Sequence, residues 1–411
     1  MSVSKIASSY KFLSWGLAGF LLFLIYGCEM GDAFNLYEDY ELEIAPQPVI
    51  HEVDPPDSYL AGVDKITIMG ENFHPDTEMN RVFFNDNEGM VLSGNEEMLE
   101  VRPADEVGDS VMIRVEVRDS DKFSEKYAYQ LESAYDRLEG LRGVDQPFGL
   151  TVDPEGNVYF SNATPEGNQG IVKLNPETGE REVIVDQTNW RYIALAYGPD
   201  DKVYMSRAGD LSLIYRDDGN SGEQVFYFGE RGRQFNDLTF DSQGYLWAAG
   251  LNEGGDFDDL LRVDEEGNEE LFRFNADVGA LAYRDGYLYA GGRMAGESGI
   301  WRFDLSSNHM AGQRELYFDF GTQTGEDPLI TALNFTSEGK LFVGTDGSMP
   351  VVLIDEQATD WQEFYPGIVH GETYAMAWLP ESDKLLQTRI PPQDSDYSQT
   401  LLWIRTQLEP S

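Results

Sequence analysis

Three arginines stand out in a chain that is otherwise poor in cations. Arg207, Arg293 and Arg389 fall at nearly equivalent positions in alternate copies of a repeated segment, in a sequence with 74 Asp and Glu against 29 Lys and Arg. A guanidinium offers a planar fork of donors that matches a carboxylate or sulfate. Three of them at one rim would suit an acidic ligand, and each could equally pair with a local acid. Trp190 and Tyr192 flank Arg191 in a loop-like stretch. An aromatic ring beside hydrogen-bonding groups suits stacking on a sugar, and packing between neighbouring sheets is the other use of such rings. More polar side chains recur at the ends of similar apolar runs: Asn236, Asp237, Asp346, His370 and Tyr374, with Asn162, Asn252, Asp277, Asp327 and Glu372 at related places.

Hairpins must position these groups. In Gln234–Gly250, Leu238-Thr239-Phe240 leads into the polar turn Asp241-Ser242-Gln243-Gly244 and on to Tyr245-Leu246-Trp247-Ala248. Aromatic and β-branched residues on both arms, with a turn glycine, predict a β-hairpin. The pattern occurs six times, aligned on Leu150, Leu195, Leu238, Leu281, Leu333 and Met376, at spacings of 45, 43, 43, 52 and 43 residues. A third apolar run follows each hairpin and a fourth follows five of them. A period in the forties with four strands per unit predicts blades of a β-propeller. The last unit lacks its outer strand, and Arg137–Leu141, ahead of the first hairpin, fits the vacancy and would close a ring of six. In such a ring the loops entering each inner strand and those joining second to third strands share one face, where all the polar candidates would gather.

The first unit, Gln146-Pro147-Phe148-Gly149-Leu150-Thr151-Val152-Asp153-Pro154-Glu155-Gly156-Asn157-Val158-Tyr159, closely resembles an NHL repeat. Later copies lack its Pro-x-Gly start. Upstream, Pro55-Pro56, Gly62, the strand Lys65–Met69 followed by Gly70-Glu71-Asn72-Phe73, and the closing Tyr127-Ala128-Tyr129 resemble an IPT/TIG immunoglobulin-like domain. Val111–Val117 alternates strictly, as a strand with one buried face does. Phe235-Asn236-Asp237 with Asp241 resembles a segment of gluconolactonase-type propellers, which hold a divalent metal in the channel. The matching positions elsewhere are Ile193-Ala194, Gly279-Ala280, Thr331-Ala332 and Tyr374-Ala375, which carry too few oxygen ligands for such a site.

The formal charge of −45 argues against nucleic acid, which needs clustered cations. Four scattered histidines and one cysteine give no zinc spacing and no intrachain disulfide. No nucleophile–base set, phosphate loop or cofactor motif is legible. The cysteine is placed tellingly. Lys5 and Lys11 precede or border the apolar run Phe12–Tyr26, which ends at Ile25-Tyr26-Gly27-Cys28. This resembles a bacterial lipoprotein signal peptide with a lipidated Cys28, although Tyr26 is unusual in that box.

The expectation is therefore an all-β chain: a leader over residues 1–27, an acidic tether over 28–45, an immunoglobulin-like β-sandwich over 46–132, and an NHL-like six-bladed β-propeller over 133–411. The resemblance implies a lipid-anchored protein of the bacterial cell envelope, exposed at the outer membrane surface and non-catalytic. It would bind polysaccharide or oligosaccharide at the propeller mouth through Trp190, Tyr192, Arg207, Asn236, Asp237, Arg293, Asp346, His370, Tyr374 and Arg389. No metal or cofactor is expected, and the lipid is the only membrane contact. An envelope protein–protein scaffold is the alternative, with a metal-dependent hydrolase or lactonase behind it.

Overall fold

The computed structural model describes residues 44–56, 58–187, 189–209, 211–231, 233–252, 259–305, 314–391 and 399–411. The leader, Cys28 and nearly all of the acidic tether lie outside the described residues.

Alternation builds the N-terminal sandwich. Along Gly108–Val117, Val111, Ile113, Val115 and Val117 point inward while their neighbours face out. They meet Val53, Ile66, Ile68, Phe84, Leu99 and Val101 in one core. Eight strands contribute, and Asn87–Gly94 pairs with strands of both layers, through Val82↔Gly89 on one side and Val91↔Val101 on the other. The Tyr129 hydroxyl donates to Pro55 O at 2.9 Å and ties the last long strand back to the start.

Six four-stranded antiparallel sheets follow. Their inner strands are Gln146–Val152, Tyr192–Tyr197, Arg233–Phe240, Asp277–Arg284, Ile330–Phe335 and Glu372–Trp378, which number blades 1 to 6. The recurring Asp and Gly explain the repeated hairpin. In blade 3, Asp241 Oδ1 accepts from the Gln243 and Tyr245 amides, Oδ2 accepts from Trp247 Nε1, and Gly244 turns the chain at φ 84°. Asp153 does the same in blade 1, accepting from Asn157 N at 2.7 Å and the Tyr159 hydroxyl at 3.0 Å. One carboxylate thus shapes the turn and fixes an aromatic side chain of the second strand.

The ring closes as the missing strand required, at a slightly different place. The outer strand of blade 6 is Tyr135–Arg137, paired Ile404↔Tyr135, Trp403↔Asp136 and Leu402↔Arg137. Leu138 and Leu141 leave the sheet and are buried between blades 6 and 1, beside Leu150, Leu174 and Leu386. This is why the strand ends before the expected stretch does.

Every inner strand carries a bulge at one shared position. The register skips Ile193, Asn236, Gly279, Thr331 and Tyr374 in blades 2 to 6, and shifts between Pro147 and Leu150 in blade 1. Bulges bend a strand and re-aim a side chain. Here they make a waist, where neighbouring inner strands nearly touch. A Cβ on Gly279 would lie 2.1 Å from Ile330 O, and one on Gly149 2.8 Å from Ile193 O.

The sandwich sits against the outside of blades 5 and 6. Leu60, Ala134 and Ile368 are buried together, flanked by Val63, Tyr135 and Tyr365. Glu132 pairs with Arg405, and Gln407 Nε2 donates to Asp64 Oδ1 at 2.8 Å. Gly62 has φ 70°, which disfavours any other residue, and a Cβ there would stand 2.4 Å from Ile368 Cδ1.

Candidate functional site

The inner strands run from an upper face, where chain enters each blade, to a lower face bearing the hairpin turns. One cavity occupies the lower half of the channel. It measures about 370 Å³ and is lined by residues such as Thr151, Tyr197, Asp237, Thr239, Asn334 and Trp378. Its polar groups are engaged by the fold. Asp237 Oδ2 accepts from Leu281 N of the next blade at 2.7 Å, and Oδ1 from Leu238 N at 2.8 Å. Asn334 Nδ2 donates to Met376 O at 3.2 Å, and Trp378 Nε1 to Phe335 O at 2.8 Å. Inner strands have an unpaired edge facing the channel, and these side chains cap it from the neighbouring blade.

Asp237 has one edge open to the channel and protein packed around the rest. Desolvation pushes its carboxyl up to about 7, against the two amide donors that favour the charged form. Asn236, the bulged residue beside it, donates to Val278 O at 3.0 Å and accepts from Gln234 Nε2 at 2.9 Å. The pair expected to belong to a binding rim instead ties blade 3 to blade 4. Asp237 stands where the other five blades have Gly149, Ala194, Ala280, Ala332 and Ala375. Among the described residues no three His, Cys, Asp or Glu side chains are grouped to hold a metal.

The upper face separates the expected rim residues into local groups. Arg293 Nε donates to Asp327 O at 3.0 Å and its guanidinium lies 3.9 Å from Asp346, whose Oδ1 also accepts from Leu329 N. Arg389 is only 7% exposed, and its guanidinium meets His370 Nε2 at 3.3 Å. His370 also contacts Ile368 O through Nδ1 at 2.8 Å and sets its ring edge-on to Tyr135, at the seam with the sandwich. The three arginines therefore form no shared ring: acidic and aromatic neighbours claim two of them locally. Asn162 is likewise structural, accepting from Gln146 N and donating to the buried Asp145.

Tyr192 corrects a second expectation. It is fully buried between blades 1 and 2, with Tyr159, Ile171 and Leu195, so its ring is not offered to a sugar. Alternation explains this, because Tyr192 opens the inner strand and already points into the sheet interface. Trp190, two residues earlier, is half-buried. It stacks on Tyr215 at 5.9 Å and 20°, and the Arg207 guanidinium lies 5.0 Å from its ring centre.

Phe148, which was not among the expected site residues, joins the expected Tyr374 at the channel mouth. Phe148 and Tyr374 meet edge-to-face at 5.7 Å across blades 1 and 6, and the exposed Arg191 lies 3.9 Å over the Phe148 ring. Burial pushes the Tyr374 hydroxyl up to about 12, with Arg191 opposing. Phe148 and Tyr374 both stand two residues before the aligned Leu150 and Met376, at the bulge. That alignment was available in the sequence, but the bulge that turns both rings to the mouth was not.

Residues 48–131 match the IPT/TIG domain family. Among solved structures, a luciferin-regenerating enzyme superposes with a TM-score of 0.52 at 15% identity, covering 67% of this chain and 97% of that one. An auxiliary nutrient binding protein from Bacteroides thetaiotaomicron aligns at 13% identity and a TM-score of 0.49, covering 83% and 95%. A Bacteroides thetaiotaomicron protein of unknown function gives 11% identity and 0.49, covering 88% and 98%. No curated protein matches the chain in sequence. At these identities the likeness is one of fold. The chain is all-β, with an N-terminal IPT/TIG immunoglobulin-like domain and a six-bladed β-propeller.

Proposed function

We propose that this protein is a non-catalytic glycan-binding protein of a bacterial cell envelope, which captures polysaccharide or oligosaccharide on the upper face of its propeller. One observation carries the reading: the part-exposed Tyr374 and Trp190 stand with Arg191 and Arg207 on the upper face of blades 6, 1 and 2, over the buried Phe148. Rings backed by guanidiniums give a rigid apolar platform with donors at its edge, which is what a pyranose needs for stacking and hydroxyl recognition. The sandwich serves as a spacer that holds the ring at a set angle. Cys28 carries the lipid, on the outer membrane and facing outward.

The test is a panel of neutral and acidic polysaccharides, with Tyr374→Ala and Trp190→Ala alongside the parent. Binding to at least one glycan, weakened about tenfold or more by either change as loss of an aromatic contact would produce, supports the reading. Absence of binding to every glycan, or unchanged affinity in both variants, contradicts it. Metabolic labelling with a fatty acid, lost in Cys28→Ala, checks the anchor separately.

A second reading, an envelope protein–protein scaffold, has its own observation. Val183, Val225, Leu271 and Leu316 are 40–56% exposed at matching places on the outer strands of blades 1 to 4. The same place holds Glu363 in blade 5 and Arg137 in blade 6, beside the sandwich. Phe228, 66% exposed, adds to this wall. If the wall holds a partner, Phe228→Asp with Leu316→Asp abolishes a cross-linked complex and leaves glycan binding intact.

A further inference from the structure

The upper rim of blade 2 has more donors than acceptors. Trp190 Nε1, Tyr192 Oη and Arg207 Nε are all buried, and none has a hydrogen-bond partner among the described residues. They belong to one cluster, because Trp190 stacks on Tyr215, Tyr192 meets the same ring edge-on, and Arg207 lies over Trp190. Buried polar groups are nearly always paired, and ordered water is the usual partner where protein supplies none. The dipoles of these three groups also raise the positive potential beneath the rim.

Two guanidiniums add full charges. Arg191 and Arg207 leave neighbouring strands of one hairpin: Tyr192 pairs with Arg207, and Ala208 N donates to Arg191 O at 2.9 Å. Each is backed by an aromatic ring, Phe148 at 3.9 Å and Trp190 at 5.0 Å. Among the described residues no carboxylate pairs with either, whereas Arg293 on the same face reaches Asp346. A ring behind a guanidinium limits its motion and leaves its donors available, which lowers the cost of capturing an oxyanion.

From this arrangement we infer that the glycan bound here is anionic, and that Arg191 and Arg207 take up its carboxylate or sulfate group. The inference rests on the glycan-binding reading and narrows it. Neutral sugar rings would use the aromatic platform alone and leave the two guanidiniums without a counter-charge.

The experiment uses the intact protein and three polymer pairs: polygalacturonate against its methyl ester, dextran sulfate against dextran, and polygalacturonate against dextran sulfate. Measurements at about 150 mM salt suit the question, because charges beyond about 8 Å are then largely screened and the net charge does not mask a local contact. An acidic polymer is expected to bind at least about tenfold more tightly than its neutral counterpart, and Arg191→Gln or Arg207→Gln each to weaken it about tenfold. Arg293→Gln should leave affinity unchanged, and unaltered melting temperatures show that the variants fold. The first two pairs test the charge, and the third separates carboxylate from sulfate. Equal binding of neutral and acidic polymers overturns the inference while the glycan reading stands. So does acidic binding that neither arginine variant alters. Failure of every polymer to bind overturns both.

Discussion

The two ends of the propeller channel differ in what their polar groups do. At the lower end a cavity of about 370 Å³ is open, yet Asp237, Asn334 and Trp378 are each hydrogen-bonded to backbone of their own or a neighbouring blade. At the upper face a cavity of about 380 Å³ opens between blades 5 and 6, beside Asp346, His370 and Glu372, while on blade 2 Arg191 and Arg207 have aromatic backing and, among the described residues, no carboxylate. Volume does not separate the two ends; the proposed upper site rests on the hydrogen bonds, because groups consumed in holding the blades together are unavailable to a ligand.

If this division is right, changes at the lower end and the waist should cost stability, and changes at the upper rim should cost affinity. The largest effect is expected where the ends meet. Gly279→Ala sets a Cβ 2.1 Å from the backbone oxygen of Ile330, which cannot swing aside as a side chain can. A loss of about 3 kcal/mol in urea unfolding is expected, at the upper end of the usual overpacking range. A loss under about 0.5 kcal/mol would mean the inner strands are looser than drawn. Next, replacing Arg191 and Arg207 together by Gln should lower affinity for an acidic glycan about a hundredfold, or roughly 2.7 kcal/mol, without altering the unfolding midpoint.

Asp237→Ala should cost about 2 kcal/mol by leaving the Leu281 amide without its acceptor, and leave glycan affinity unchanged. Its pH dependence is a sharper probe. The folded carboxyl is pushed up to about 7 from an ordinary 3.8. Between those values the folded state keeps a proton that the unfolded chain has lost, so this group makes stability fall as pH rises from about 4 to 7. Asp237→Asn should flatten that part of the stability curve, and an unchanged slope would show that the carboxyl titrates normally. Asn334→Ala is the smallest effect, about 1 kcal/mol for one bond to Met376 O.

The architecture was largely legible in the sequence, because each blade repeats the same physical solution. The turn Asp and Gly, the anchor leucines and the alternation of Val111–Val117 all act locally. Even the closing strand could be inferred from a missing partner, though Leu138 left it for the core. The site was less legible. Arg207, Trp190 and Tyr374 were recognised by type and loop position, but whether Arg293 and Arg389 were spoken for depended on Asp346 and His370, which are 53 and 19 residues away. Tyr192 and Asp237 misled for one reason: a polar or aromatic residue at the top of an inner strand reads the same whether it faces solvent or the neighbouring blade.

Hydrogen–deuterium exchange with and without a saturating acidic glycan distinguishes a ligand on the upper rim from one in the channel. The amides of residues 189–192 and 206–209 are expected to exchange more slowly in the complex, while those of 237–240 and 281–283 are unchanged. Protection confined to 237–240 and 281–283 would put the ligand in the lower channel and contradict the account.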